Sequence, residues 1–133
     1  MQDVEVLNIC FPCTDQKKFV ESVKKYIAEY KPKFTIIHST VPIGTTRLCG
    51  KNVVHSPCHG KHPNLQEGIR TFVKYVGATN GSTAYQAVVY LSQAGIKAKP
   101  VSSPEASEAS KLLCTTYYGW NIVYMKEVEA FCE

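Results

Sequence analysis

The sequence predicts an α/β fold, a parallel sheet with flanking helices followed by one long C-terminal helix. Three observations carry this. Short runs of apolar, β-branched residues alternate with helical patterns along the chain, the order that builds parallel sheets covered by helices. The run Val4–Phe11 is apolar almost throughout, as expected of a strand buried on two faces. The last 31 residues open with Ser103-Pro104-Glu105 and contain no later proline, the start signal of one long helix.

Val4–Phe11 is the first strand. Asp15 then caps a helix whose Phe19, Val20, Val23, Tyr26, Ile27 and Tyr30 recur at spacings of three and four, and Pro32 ends it. Phe34–His38 is the second strand, Asn52–His55 a short third and Phe72–Val76 a fourth, with a turn and a long loop in the intervals between them. After the Gly77-Ala78-Thr79-Asn80-Gly81 turn, a helix starts at Ser82 or Thr83, with Ala84, Ala87, Val88 and Leu91 as its apolar stripe. Gly95 suits its C-terminal cap, and Ile96–Val101 returns as a strand.

Residues 1–102 thus read as the α/β domain and 103–133 as a separate helical element. Continuous over Pro104–Cys132, that helix extends about 44 Å, whereas a compact domain of this length is roughly 36 Å across. It must overhang. Leu113, Tyr117, Trp120, Val123, Tyr124, Val128 and Phe131 occupy more than one of its faces, which predicts a homodimer that covers them. The alternative is a break at Gly119 that folds the tail back, since an internal glycine costs about 1 kcal/mol relative to alanine.

Hydrophobic residues at 44% and charged residues at 20% belong to an ordinary globular chain, and no apolar stretch is long enough to span a bilayer. Met1-Gln2-Asp3-Val4-Glu5 has neither the basic leader nor the apolar run of a secretory signal, so a cytoplasmic protein is expected. The net charge of +4 is scattered, without the dense basic stripe of a nucleic-acid surface. Small anions are the expected partners. The six cysteines are then expected as reduced thiols. Cys10-Phe11-Pro12-Cys13 has the spacing of a redox pair but falls at a strand end, whereas redox pairs open a helix. Cys49, His55, Cys58, His59 and His62 have ligand chemistry for zinc but irregular spacing, and read alternatively as a basic, histidine-rich loop; no metal site is assigned.

The most informative stretch is Ser39-Thr40-Val41-Pro42-Ile43-Gly44-Thr45-Thr46, a hydroxyl-rich turn directly after the second strand. Open α/β sheets bind their ligands at such strand ends. The octet resembles the Ser-Thr-Val-Pro-x-Gly-Thr-Thr turn of the UDP-glucose/GDP-mannose dehydrogenase family. The resemblance runs from Leu7-Asn8-Ile9-Cys10-Phe11-Pro12 to the helix Ala106-Ser107-Glu108-Ala109-Ser110-Lys111-Leu112-Leu113. It implies a partial Rossmann-like domain, the second half of the nucleotide-binding domain, joined to the dimerisation helix.

The same resemblance implies site residues. Thr40 corresponds to the threonine beside the nicotinamide that holds a catalytic water, and Ser39 lies with it in the cofactor turn. The family's Val-Pro-Thr-Pro falls on Phe11-Pro12-Cys13-Thr14, so the cofactor-contacting threonine is Cys13 or, with a one-residue slip, Thr14. Lys111 matches the catalytic lysine that stabilises an oxyanion, although on its own it also reads as a surface lysine paired with Glu108 or Ser107. Thr115 stands where the family's substrate-binding residue is asparagine.

Two departures argue against catalysis by this chain alone. Ser56-Pro57-Cys58 carries a thiol where the family's Ser-Pro-Glu carries a carboxylate. No two glycines are separated by a single residue, so the G-x-G-x-x-G turn that brings backbone against pyrophosphate is missing; the family's nucleophilic cysteine lies in a further domain. The expectation is a non-catalytic dimer that binds a nucleotide-sugar or a phosphate, with no tightly bound cofactor. NAD enters only in the alternative, a dehydrogenase completed in trans by another chain; the third reading is an interaction module acting through its C-terminal helix.

Overall fold

The computed structural model describes residues 4–60 and 63–133. Its elements are β1 (Val6–Ile9), α1 (Gln16–Tyr30), β2 (Phe34–Ile37), α2 (Thr45–Cys49), β3 (Val53–His55), α3 (Leu65–Thr71), β4 (Lys74–Ala78), α4 (Gly81–Gln93), β5 (Ala98–Val101) and α5 (Pro104–Cys132). The five strands form one sheet in sequence order. β1, β2 and β3 are parallel, β4 turns back antiparallel to β3, and β5 runs parallel to β4. The all-parallel sheet expected from the sequence is therefore corrected at one seam. That reversal brings the start of β4 beside the C-terminal ends of β1–β3.

Period-two alternation splits the core into two layers. Ile9, Ile37 and Val53 face α1 and pack with Phe19, Val20, Val23, Val41 and Cys49. Phe34, Ile36, Val54, Val76 and Ala78 face α4 and pack with Ala84, Ala87 and Leu91. Adjacent residues such as Ile36 and Ile37 point to opposite layers, which is why β2 is buried throughout. β1 is shorter than expected and lies at the sheet edge, bonded only to β2.

The helix ends follow local chemistry. The Asp15 carboxylate accepts from the Lys18 amide at 2.9 Å at the start of α1, and Lys31, left-handed at φ 45, closes it before Pro32. α4 begins slightly earlier than expected because Asn80 is the cap, accepting from the Ser82 amide at 2.8 Å; Gly95, at φ 76, follows its end. Ser103 caps α5 by accepting from the Ala106 amide at 3.1 Å. α5 then runs 29 residues without a break at Gly119. Its first turns pack on β3 and β4, where Gly77 is indispensable: a Cβ there would sit 2.4 Å from the Ser103 carbonyl oxygen. Beyond Cys114 nearly every residue is exposed, Trp120 at 70% and Phe131 at 91%. Among the described residues no helix is long and apolar enough to cross a membrane.

Candidate functional site

The octet after β2 divides its labour residue by residue. Ser39 Oγ donates to the Phe11 carbonyl at 2.6 Å, tying the turn to the end of β1. Thr40 is exposed and Val41 is buried in the core under α1. Thr45 Oγ1 donates to the Pro42 carbonyl at 2.6 Å and accepts from Gln16 Nε2 at 2.9 Å. Gly44, left-handed at φ 91, turns its amide toward α5. The segment expected as a plain turn thus continues into the short helix α2.

That helix is held by Glu108. The fully buried carboxylate of Glu108 accepts from the Gly44 amide at 2.6 Å and the Thr46 amide at 2.8 Å. An anion on the open amides of a helix start is favoured by both hydrogen bonding and the local dipole. The pairing of Lys111 with Glu108, one alternative read from the sequence, does not form, because the carboxylate is spent on α2. Lys111 Nζ donates instead to the Cys58 carbonyl at 2.8 Å.

Pro104, Ser107, Glu108 and Lys111 stand at i, i+3, i+4 and i+7 and form the stripe by which α5 meets the sheet. Ser107 lies 2.9 Å from Nδ1 of the fully buried His55, whose Nε2 is 3.1 Å from the Ser39 carbonyl. Burial is the main force holding His55 down to about 4, with the Lys74 and Lys111 cations adding to it, so the ring is neutral at pH 7. A carbonyl only accepts, so Nε2 carries the proton and Nδ1 accepts from the Ser107 hydroxyl. One tautomer fits.

His38 forms a second relay toward α4. Burial, helped by the Lys74 charge, lowers it to about 4. Its Nδ1 is 3.2 Å from the Ser56 carbonyl and its Nε2 2.9 Å from the Asn8 side-chain amide, which also meets the Tyr90 hydroxyl at 3.1 Å. With a neutral ring donating to Ser56, Nε2 must accept, so Asn8 turns its amide nitrogen to the ring and its oxygen to Tyr90.

Lys74 was not singled out by its sequence, yet it is only 4% exposed. Its ammonium donates to the Ser56 carbonyl and to Cys58 Sγ. Burial pulls its pKa down, and the Cys58 sulfur opposes that shift. Thus Lys74 and Lys111 converge on Cys58, one on its sulfur and one on its carbonyl, with half-buried His59 adjoining.

Of the other sequence candidates, Thr14 is exposed just before the α1 cap, at the sheet end that also carries Ser39 and Thr40. Thr115 is exposed on α5, its hydroxyl donating to the Lys111 carbonyl at 3.0 Å. The cysteine and histidine cluster is dispersed: Cys49 closes α2 inside the core, where burial pushes its thiol up to about 12, and His55 is committed to Ser107 and Ser39. His62 and Lys61 lie outside the described residues. Among the described residues no three metal-binding side chains come together. Burial raises the thiols of both Cys10 and Cys13. Lys74 was missed, while His55 and Glu108 were named in other roles; the i, i+3, i+4, i+7 polar stripe of α5 was the available signal for the role of Glu108.

No family model and no curated protein matches the chain. Solved structures do. The UDP-D-ManNAc dehydrogenase of Pyrococcus horikoshii is similar with a TM-score of 0.76 at 21% identity, over 92% of this chain and 34% of that one. The fold matches about a third of a nucleotide-sugar dehydrogenase. The UDP-glucose dehydrogenase of Pyrobaculum islandicum gives 0.74 at 16% identity, over 93% and 34% of the two chains. The UDP-N-acetyl-mannosamine dehydrogenase of Staphylococcus aureus gives 0.74 at 18%, over 99% and 38%. At these identities the likeness is one of fold, and it includes the mostly parallel sheet and α5 expected from the family resemblance.

Proposed function

We propose that this chain is a nucleotide-sugar dehydrogenase-like binding module that takes a nucleotide-sugar or related phosphate-bearing anion at the sheet end bounded by Thr14, Ser39, Thr40 and Lys111, does not oxidise it unaided, and dimerises through α5. The observation that carries the reading is Glu108. By bonding the Gly44 and Thr46 amides it welds the Thr40 turn to the helix that bears Lys111, fixing a hydroxyl-rich turn relative to an ammonium. The Lys74 ammonium adds positive potential nearby. Thr115 extends the substrate side one turn along α5, with a shorter reach than an amide.

The absent glycine-rich turn leaves no backbone cradle for a pyrophosphate coenzyme in this chain. A second reading, completion in trans by a chain that supplies such a turn and a nucleophile, is favoured by the open edge of β1, whose outer backbone groups have no strand beside them among the described residues.

Isothermal titration of the full chain with UDP-glucose and UDP-N-acetylmannosamine tests the first reading. Saturable heat at millimolar ligand is expected, weakened at least tenfold by Lys111→Ala and by Thr40→Ala. Absence of heat with every UDP-sugar overturns it. NAD reduction that appears only when a second, glycine-rich chain is added selects the second reading.

A further inference from the structure

The site proposed for a nucleotide-sugar engages Lys111 and leaves Lys74 without a counter-charge. Extending the antiparallel register Val54↔Ala78 and His55↔Gly77 by three residues sets Lys74 opposite Cys58, just past the carboxyl end of β3. Its ammonium is buried, and among the described residues it makes no ion pair with a carboxylate. Its hydrogen bonds there go to the Ser56 carbonyl and, at 3.5 Å, to Cys58 Sγ. An ammonium has three donors, so one is left over. Lys111 brings a second ammonium to the carbonyl of the same Cys58. Burying a charge is costly without a partner of opposite sign, and here a like charge is the neighbour.

A second unmet group lies beside the first. The Ser56 hydroxyl is fully buried and has no hydrogen-bond partner among the described residues. It belongs to the residue whose carbonyl holds the ammonium, so the two groups are a few ångströms apart. Next to them Cys58, Ile69, Phe72, Val73 and Lys74 line a cleft of about 10 Å³, room for roughly one water-sized species. α3 cannot swing away freely, for it packs so closely that a Cβ on Gly68 would meet the Gly60 Cα at 2.6 Å. Sulfate and phosphate are too large. A water would have to turn its own hydrogens toward Ile69, Phe72 and Val73, whereas a monatomic anion has none to place and accepts from both donors.

We propose that Lys74, with the Ser56 hydroxyl, holds a chloride ion in the cleft between the start of β4 and α3. The ion supplies the charge that the buried ammonium lacks and takes its spare N–H. Binding only the folded chain, it stabilises that state by mass action. The site stands apart from the Thr40 turn and does not depend on a nucleotide-sugar being bound.

Crystals of the full chain grown in sodium bromide test the site directly, because bromide is close to chloride in size and scatters anomalously. One ordered anomalous peak is expected within hydrogen-bonding distance of Lys74 Nζ. In solution, replacing gluconate by chloride at a constant ionic strength of about 200 mM is expected to raise the melting temperature by about 3 °C or more. Lys74→Met is expected to abolish that difference and Ser56→Ala to reduce it. A water at Lys74 in the bromide crystals overturns the proposal. Peaks confined to exposed lysines mean an adventitious ion only and overturn it as well. Equal melting temperatures of the unsubstituted protein in chloride and gluconate do so whether or not Lys74→Met folds.

Discussion

At the scale of single residues, the buried His55 and the half-buried His38 make the molecule sensitive to mild acid. Their ordinary value is 6.5, and both are held near 4 in the folded state, chiefly by burial. Between those values the unfolded chain binds more protons than the folded one, so stability is full above pH 6.5 and falls as pH drops toward 4. By pH 5 the loss from His55 alone is about 2 kcal/mol, with a smaller share from His38, which solvent partly reaches. Urea midpoints measured from pH 7.5 to 5 are expected to be flat above 7 and to decline steadily below 6.5. A midpoint that does not move over this range contradicts the neutral His55 bonded between Ser39 and Ser107. The sequence places His55 at the end of a strand and His59 in the loop after it, but does not show what covers that strand. The fold supplies the cover: β3 sets His55 under α5, while His59 lies in the loop beyond the strand.

At the scale of elements, α2 shows how a short helix depends on a distant one. Five residues are too few to hold helical structure alone, and its opening amides find their acceptor 62 and 64 residues away in Glu108. Glu108→Ala leaves two buried N–H groups unpaired and is expected to cost roughly 3 kcal/mol. Glu108→Gln restores one acceptor and is expected to cost about half of that. Urea unfolding measures the cost, and amide exchange is expected to show 44–49 losing protection first in Glu108→Ala. Unchanged exchange there would mean the carboxylate does not organise the turn. This dependence explains which elements were legible. α1, α4 and α5 carry their own caps and apolar stripes, so their residues announce them. α2 is threonine-rich and held by a tertiary contact, while α3 has Gly68 within it and prolines and glycines before it; neither shows a periodic stripe. The reversal of β4 was also hidden, because a strand's residues record which face is buried and not which way it runs. The Thr40 turn and Lys111 were legible through motif, whereas Lys74 looked like one more charge in a short strand.

For the whole molecule, the proposed dimer rests on α5. Leu113, Tyr117, Trp120 and Tyr124 follow one another at spacings of four, three and four, the interval of a helix–helix seam, and each is more than half exposed. Phe131 continues the line and Glu127 interrupts it. Leaving four or five such side chains in water forfeits on the order of 1.5–3 kcal/mol each relative to burial, against which the ordering cost of an already formed helix is small. In the proposed homodimer a second copy, antiparallel or parallel along this seam, would cover it. Sedimentation equilibrium is expected to give twice the 14.8 kDa of the chain, with a melting temperature that rises with protein concentration. Trp120→Glu combined with Tyr124→Glu sets charges into the seam and is expected to yield a monomer whose α/β domain still melts cooperatively, since neither residue touches the sheet. Should the unsubstituted chain sediment at 14.8 kDa at high concentration, the exposed seam would have to be covered by a different chain, and pairing along the free edge of β1 would become the first place to look for it.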